Sequence, residues 1–274
     1  MENEQSEGLY IALLSIHGLI RWKNLELGRD ADTGGQTLYV VELAQALSKH
    51  PDVAKVDLIT QRVVDTEVSP DYAEPVEEYS GNLRIVRVDA GPEGYLAKEE
   101  LWDHLDFFTD NLAEFFRENC AFPDIIHSHY ADAGYVGSRL ASLLGIPLIH
   151  TGHSLGRVKR SRLLAGGLNA TAIEELYNIS RRIEAEELTL STAERVITST
   201  NQEIAEQYEL YDHYQPDQMR VVPPGTNLNQ FTPAKGDEAD TSLFHELTVH
   251  LKDPGTPIIL ALSRPDRRNN IVAL

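Results

Sequence analysis

The sequence predicts an α/β protein in which a Rossmann-like parallel sheet is covered by helices on both faces. Short apolar segments rich in Val, Ile and Leu alternate along the chain with longer segments of helical pattern. The short segments are apolar almost throughout, as expected of parallel strands that are buried on both sides. The length of 274 residues and the hydrophobic content of 42% are those of a globular protein with a sizeable core.

Strands are predicted wherever adjacent Val, Ile or Leu residues lie in a short apolar segment, because these side chains suit a buried sheet. In chain order, the segments are LYIALLS (9–15), KVDLIT (55–60), LRIVRVD (83–89), DIIHSH (124–129), IPLIHT (146–151), RVITS (195–199), MRVVPPG (219–225) and PIILALS (257–263).

Helices are predicted between several of these strands, at 37–48, 98–119, 132–144 and 171–191. The last of them opens with Thr171 and Glu174 at the spacing of a capping box, in which each side chain bonds a backbone N–H group of the first turn. Strands that alternate with helices in this way favour a parallel sheet, because each connection must return the chain from the end of one strand to the start of the next, and a helix usually does this.

The sequence between 233 and 256 turns polar and acidic before the apolar pattern resumes. We therefore predict a first domain over 1–235, a linker over 236–255 and the start of a second domain at 256–274. The alternative is a long surface loop inside a single domain.

The composition excludes some classes of binding partner and indicates a cellular location. With 24 basic against 43 acidic residues, the net charge is −19, which argues against nucleic-acid and membrane partners because Lys and Arg supply most of the affinity for them. The opening MENEQSEG lacks the pattern of a signal peptide, and we find no apolar run of about 18 residues. The single cysteine, Cys120, cannot form an intrachain disulfide. Together these features predict a cytoplasmic protein.

Ligands of open α/β sheets bind beyond the carboxyl ends of the strands, so the residues that follow each strand are the first candidates. A long loop after the first strand ends in Gly34, Gly35 and Gln36 at the start of a helix. Absent Cβ atoms and free N–H groups at that position suit an anion or a sugar oxygen. The alternative is a turn that uses glycine for its positive φ. The segment lacks the G-x-G-x-x-G spacing of dinucleotide-binding folds, which disfavours an NAD enzyme.

Histidines lie at the ends of two later strands. His127 and His129 alternate onto one strand face and could ligate a metal, but no third ligand is apparent, and we predict no metal site. His153 lies in a loop flanked by Gly and Ser at the predicted ligand edge, where it either contacts a substrate or packs within the loop.

Basic residues are concentrated after the fifth strand. Four of the 24 lie within six positions, at Arg157, Lys159, Arg160 and Arg162. Arg181 and Arg182 follow on a glutamate-rich helix. In so acidic a chain, this concentration indicates a small anion such as a phosphate, and the alternative is ordinary ion pairing, such as Arg182 with Glu186. The residues around Lys98 give little reason by themselves to assign it to an anion site.

Six segments in a fixed order carry a family resemblance. They are DADTGGQTLYVVELAQALS, SHYADAGYVGS, TGHSLGRVKRSRLL, RRIEAEELTLSTAERVITST, VVPPGTNLNQF and ALSRPD. Together they resemble the sucrose-phosphate synthases, retaining glycosyltransferases with the two-domain GT-B fold. The resemblance extends from Leu9 to Leu274, and the basic run after HSLG is closer to this family than to the sucrose synthases, whose acceptor carries no phosphate.

The resemblance implies transfer of glucose from UDP-glucose to the 2-hydroxyl of fructose 6-phosphate, giving sucrose 6-phosphate and UDP with no required cofactor. The first domain would bind the acceptor. Gly34, Gly35 and Gln36 would line the cleft between the two substrates, and Gly35 and His153 would lie at the catalytic centre, with His153 contacting the transferred glucose.

The same resemblance implies a set of acceptor contacts. Four cations would surround the acceptor phosphate, namely Lys98, Lys159, Arg181 and Arg182. Tyr130 and Asp132 would contact its sugar.

The nucleotide sugar is held mostly by the second domain in this family. Arg264 matches the first of its two cations, but Asn269 stands where the family pattern has Lys, and only Arg268 is nearby. The resemblance therefore predicts that this chain is the acceptor half of a longer enzyme and is inactive by itself. A sucrose synthase or another GT-B sugar transferase, and a non-catalytic module that binds sugar phosphates, are the alternatives.

Overall fold

The computed structural model describes residues 8–228, 231–233, 242–251 and 253. The chain divides into two units, Met1–Pro223 and Pro224–Leu274. The predicted strand at 257–263, Arg264 and Asn269 lie outside the described residues, and the predicted domain boundaries stay a prediction. In the described part of the chain, no helix has the length and apolar character needed to cross a membrane.

The first unit contains an eight-stranded sheet with the strand order β3-β4-β2-β1-β5-β6-β7-β8. Its strands are β1 (Leu9–Leu14), β2 (Val53–Gln61), β3 (Val76–Ser80), β4 (Leu83–Val88), β5 (Ile125–His129), β6 (Leu148–Thr151), β7 (Arg195–Thr198) and β8 (Met219–Val221). All neighbouring pairs are parallel except β3 with β4, which are antiparallel.

The helices of the first unit are α1 (Gly35–Leu47), α2 (Leu105–Glu118), α3 (Ala131–Leu144), α4 (Gly156–Ala165), α5 (Ala170–Tyr177), α6 (Ile179–Thr192) and α7 (Asn201–Glu206). Short 3-10 turns lie at Pro70–Ala73, Leu101–Asp103, Tyr208–Leu210 and Pro216–Gln218. In the described part of the second unit, α8 spans Ser242–Thr248.

Alternate residues of β1 pack into two separate hydrophobic cores, one on each face of the sheet. Ile11 and Leu13 pack with Val40 of α1 in one core. Ala12 and Leu14 belong to the other, which contains the buried aromatic and aliphatic side chains of α2 and α3. Because both faces are covered, the strands are apolar at consecutive positions, and the predicted fold class is confirmed.

The edge strand β3 was not predicted from the sequence. Its residues, VEEYS, are polar and mostly exposed, and they lack the adjacent branched aliphatic residues on which the other predictions depended. It pairs with β4 in antiparallel fashion, so the sheet is mixed rather than wholly parallel.

The single helix predicted at 171–191 is wrong, because two helices meet at Asn178. Asn178 has φ 45° and ψ 43°, a left-handed conformation that asparagine tolerates and that ends α5. The predicted capping box is also wrong: the Asn169 side chain caps α5 by accepting from the N–H of Ala172, while the Glu174 carboxylate accepts from Ser180.

The helix predicted at 98–119 begins only at Leu105, after a 3-10 turn. The backbone N–H of Lys98 donates to the buried carboxylate of Asp32 at 2.9 Å, and this contact holds the preceding segment against the loop that follows β1. Helix α4, which carries the basic run, was not predicted.

Candidate functional site

Three neighbouring strands bring the candidate residues to one edge of the sheet. β5 lies between β1 and β6, and all three run parallel. The loop after β1, Tyr130 after β5 and the segment from Gly152 after β6 therefore emerge side by side at the carboxyl edge, where ligands of such sheets bind.

Gly34 and Gly35 leave the start of α1 open. Gly34 is the N-cap, with an extended backbone at φ −107° and ψ −152°, and neither glycine has a positive φ. A Cβ atom built at either position would meet nothing within 4 Å. The backbone conformation therefore does not require glycine here, and open space beside the helix N-terminus fits a ligand that approaches the main chain closely.

Gln36 ties α1 to the strand ends. Its Nε2 atom donates to Ser15 Oγ at 3.3 Å and to the backbone oxygen of His129 at 3.4 Å. Because Nε2 is used internally, Oε1 is the atom of Gln36 that remains for a ligand.

The sequence did not single out a buried pair formed by His17 and Asp132. Their side chains lie 2.7 Å apart between Nδ1 and Oδ2, and the second carboxylate oxygen of Asp132 accepts from the N–H of Ala133 in α3. Burial acts to lower the pKa of His17, but the charge and hydrogen bond of Asp132 and the charge of Asp32 together outweigh it, and the pKa is raised. The sequence signal that could have identified His17 is its position shortly after the first strand, at the edge of the sheet where ligands bind.

Tyr130 has a strained backbone and a buried ring. Its φ of 77° and ψ of 170° are rare for a residue with a side chain. The His17 ring meets the Tyr130 ring edge-on at 4.7 Å between centroids, and the Arg182 guanidinium lies over the ring at 4.5 Å from its centroid. Cation–π contact of this kind fixes both side chains.

His153 is the second strained residue, with φ 56°. Its Nε2 atom lies 3.0 Å from Nδ1 of the fully buried His129, and its ring packs edge-on against Tyr39 at 5.1 Å. Enclosure by neighbouring atoms, with a smaller effect of the charge on His17, lowers the pKa of His153 to about 4. The residue is nonetheless exposed, so a neutral imidazole is presented at the carboxyl edge of the sheet.

The other strand histidines are bonded to their neighbours in the sheet. His127 Nε2 lies 2.9 Å from Thr151 Oγ1, and His150 Nδ1 lies 2.9 Å from Ser128 Oγ. Among the residues that the structure describes, no group of three His, Cys, Asp or Glu side chains is placed to hold a metal ion.

Lys98 and Lys159 approach one carboxylate from different elements. Lys98 Nζ lies 3.4 Å from Glu99 Oε1, and Lys159 Nζ on α4 lies 3.9 Å from the same oxygen. Lys98 Nζ also pairs with Asp32, whose side chain is 4% exposed. Lys159 Nζ stands over the Tyr177 ring at 3.7 Å from its centroid.

The two arginines of α6 occupy different environments. Arg181 is exposed and pairs with Asp103. Arg182 is 3% exposed: its Nε donates to Glu186 Oε1 at 3.0 Å, and its Nη2 donates to the backbone oxygen of Ser154 at 2.6 Å. The ion pair considered from the sequence is therefore present, and Arg182 also fixes the loop that carries His153.

Arg157, the first residue of the basic run, forms ordinary ion pairs. Its Nη2 atom lies 2.7 Å from Glu187 and 2.9 Å from Asp212. Arg160 and Arg162 are exposed on α4.

Curated proteins similar to this chain are sucrose-phosphate synthases. The chain is 40% identical, over an alignment of 336 positions, to a probable sucrose-phosphate synthase 1 of Craterostigma plantagineum. It is 39% identical, over an alignment of 335 positions, to a probable sucrose-phosphate synthase of Solanum tuberosum. These alignments cover 100% of this chain and 32% of each relative, so the chain spans about a third of their length. The resemblance found in the motifs is confirmed.

Solved structures show the same fold. A sucrose-phosphate synthase from Thermosynechococcus elongatus matches with a TM-score of 0.65 and 28% identity, over 85% of this chain and 52% of that one. Anabaena HepE, solved in complex with UDP and glucose, matches with a TM-score of 0.51 and 12% identity over 88% of this chain and 50% of that one, which shows the fold alone. Residues 33–230 match the model of Glycosyltransferase Family 4, and the chain belongs to that family.

Proposed function

We propose that this chain supplies the acceptor-binding half of a sucrose-phosphate synthase. The complete protein would transfer glucose from UDP-glucose to fructose 6-phosphate, giving sucrose 6-phosphate and UDP, and would need no cofactor. The observation that carries the proposal is the 40% identity to a sucrose-phosphate synthase along the whole chain. The acidic composition and the single cysteine agree with a cytoplasmic setting.

The acceptor phosphate would lie near Lys98, Lys159 and Arg181. These side chains come from the segment before α2, from α4 and from α6, and two of them approach the Glu99 carboxylate. A phosphate binds such groups through charge-assisted hydrogen bonds. Arg182 would act partly through the loop that it holds, since its guanidinium bonds the backbone oxygen of Ser154.

The sugar would lie against the open start of α1. Gly34 and Gly35 offer accessible backbone there, and Gln36 offers Oε1. His153 presents a neutral ring at the same edge of the sheet, suited to a hydroxyl of the transferred glucose. Tyr130 and Asp132 would shape the sugar pocket, Asp132 while it is held by His17.

The donor would bind largely through the second domain. Arg264 would meet the diphosphate, and preorganised cations are the usual means of stabilising charge on such a leaving group. HepE, a structural neighbour, holds UDP and glucose. Because this chain has Asn269 where the family pattern has Lys, we expect acceptor binding but no turnover from the 274-residue protein.

Calorimetry of the 274-residue protein with fructose 6-phosphate and with fructose tests the proposal. A charge-assisted hydrogen bond contributes about 1.5–3 kcal/mol, so the phosphorylated sugar should bind at least about tenfold more tightly. Arg181→Ala should reduce that preference, whereas Arg160→Ala, a change to an exposed cation of the same run, should leave more of it intact. Equal affinity for the two sugars would contradict the assignment and favour an enzyme whose acceptor carries no phosphate.

A further inference from the structure

Each of the cations expected around the acceptor phosphate already has an acidic partner in the ligand-free protein. The pairs are Lys98 with Asp32 and Glu99, Lys159 with Glu99, Arg181 with Asp103, and Arg182 with Glu186. An incoming phosphate therefore meets cations whose charge is already compensated.

Two of these carboxylates are fixed in place. The side chains of Asp32 and Glu186 are 4% and 3% exposed. Asp32 also accepts the backbone N–H of Lys98, and Glu186 also accepts the backbone N–H of Gly156 and the hydroxyl of Tyr211. Moving either carboxylate would leave buried donors unsatisfied, so these pairs persist when a ligand arrives.

Glu99 and Asp103 are different, because their carboxylates are accessible. Their side chains are 26% and 79% exposed, and both residues belong to the short segment that precedes α2. The backbone of this segment is anchored independently, since Asn178 Nδ2 donates to the backbone oxygen of Glu99 at 2.8 Å. Either carboxylate can turn toward solvent while the chain stays in position.

Glu99 holds the central place in this arrangement. A single oxygen, Oε1, lies within 4 Å of the ammonium groups of both Lys98 and Lys159. A phosphate that contacts both lysines would lie beside the Glu99 carboxylate, and two like charges at that separation repel each other. The carboxylate must give up its lysine contacts before the phosphate can make them.

We propose that Glu99, assisted by Asp103, competes with the acceptor phosphate for the cations of this site and so sets the affinity for phosphorylated sugars. The inference rests on the proposed function. Removal of the Glu99 charge strengthens phosphate binding, because the carboxylate that lies beside both ammonium groups no longer competes with the ligand for them. The opposite role, in which Glu99 positions the lysines for the phosphate, requires that the same substitution weaken binding.

Calorimetry of Glu99→Gln with fructose 6-phosphate, inorganic phosphate and fructose decides between these roles. Partly exposed ion pairs are weak, so we expect binding of the two phosphate compounds to tighten roughly two- to tenfold, with fructose unaffected. Asp103→Asn should tighten the binding of both phosphate compounds by a smaller factor, because its pair with Arg181 is more exposed.

Glu100→Gln is the matched control. It removes one negative charge from the same segment, and glutamine keeps an acceptor for the N–H of Ala97, to which the Glu100 carboxylate bonds at 3.0 Å. Any tightening in this control measures the change in net charge alone, and Glu99→Gln must exceed it. Thermal unfolding of each variant verifies that the fold is retained.

The outcomes separate the inference from the proposed function. If the unaltered protein prefers fructose 6-phosphate to fructose but Glu99→Gln binds no more tightly than Glu100→Gln, the competition is wrong and the proposed function stands. If neither phosphate compound binds to the unaltered protein or to any variant, both are wrong. Phosphate binding that emerges only in Glu99→Gln supports the competition.

Discussion

His153 combines an unfavourable backbone conformation with an exposed side chain at the carboxyl edge of the sheet. Its φ of 56° is sterically costly for a residue with a Cβ atom, and such strain persists only where surrounding contacts impose it. The sequence indicated the location of His153 through its position after a strand. It could not show the strain or the 3.0 Å contact with His129, because both depend on backbone geometry and on a partner from another strand.

Replacement of His153 by glycine and by alanine separates the backbone strain from the side-chain contacts. Both variants lose the bond to His129, but glycine adopts a positive φ without penalty. We expect His153→Gly to be more stable than His153→Ala by about 1 kcal/mol. Urea unfolding of the two variants provides the measurement, and equal stability would show that the positive φ carries no strain.

At the scale of elements, the apolar strands were predictable from the sequence. Elements whose structure depends on pairing with another strand, or on one residue's backbone conformation, were not. The strands at the centre of the sheet were recognisable because both faces are buried. The edge strand β3 depends on pairing with β4, and the break between α5 and α6 depends on one left-handed residue, Asn178. A window of sequence carries neither kind of information.

The packing of α3 against α6 depends on Gly134. A Cβ atom there would lie 2.5 Å from Thr189 Oγ1 and 3.2 Å from His150 Cε1. In an exposed helix, replacing glycine by alanine stabilises, but here the steric clash should dominate. We expect Gly134→Ala to lower the free energy of unfolding by about 1–3 kcal/mol.

A double-variant cycle identifies the clash. Thr189→Ala removes the side-chain atoms nearest to the new Cβ, so the double variant Gly134→Ala, Thr189→Ala should recover part of the loss. Additive effects in urea unfolding would show that the contact between α3 and α6 is not what restricts residue 134.

At the scale of the whole molecule, the candidate site is assembled from partners that are distant in sequence. Asp32 lies 66 residues from Lys98, and Asp103 lies 78 residues from Arg181. The basic cluster and the resemblance to sucrose-phosphate synthases identified the cations, and the spacing of Arg182 and Glu186 identified one of their partners. The pairs of Lys98 with Asp32 and of Arg181 with Asp103 became apparent only in the folded chain. The proposed phosphate affinity would therefore be a property of the assembled site rather than of any one motif.

The histidines of the central strands β5 and β6 should make the whole molecule sensitive to acid. Desolvation lowers the pKa of His127 and of His150 to about 3, and it lowers the pKa of the fully buried His129 as well. In the unfolded chain these groups titrate near 6.5, so between about pH 6.5 and pH 3 the unfolded state binds more protons than the folded state. Their contribution to stability is complete above pH 6.5 and is lost as the pH falls through this window. His153, whose pKa is also lowered, acts in the same direction as these three residues. His17, whose pKa is raised, is a single group that acts in the opposite direction.

Urea unfolding between pH 7.5 and pH 5 tests this expectation. The free energy of unfolding should fall on acidification, by up to about 1.4 kcal/mol per pH unit for each depressed histidine once the pH is well below 6.5. His150→Asn should show a shallower slope, because asparagine does not titrate and keeps an amide near the position that bonds Ser128 Oγ. His50→Asn, a change to an exposed histidine, should keep the slope of the unaltered protein. A stability that does not change between pH 7.5 and pH 5, or equal slopes for His150→Asn and His50→Asn, would show that these buried rings do not control the response to acid.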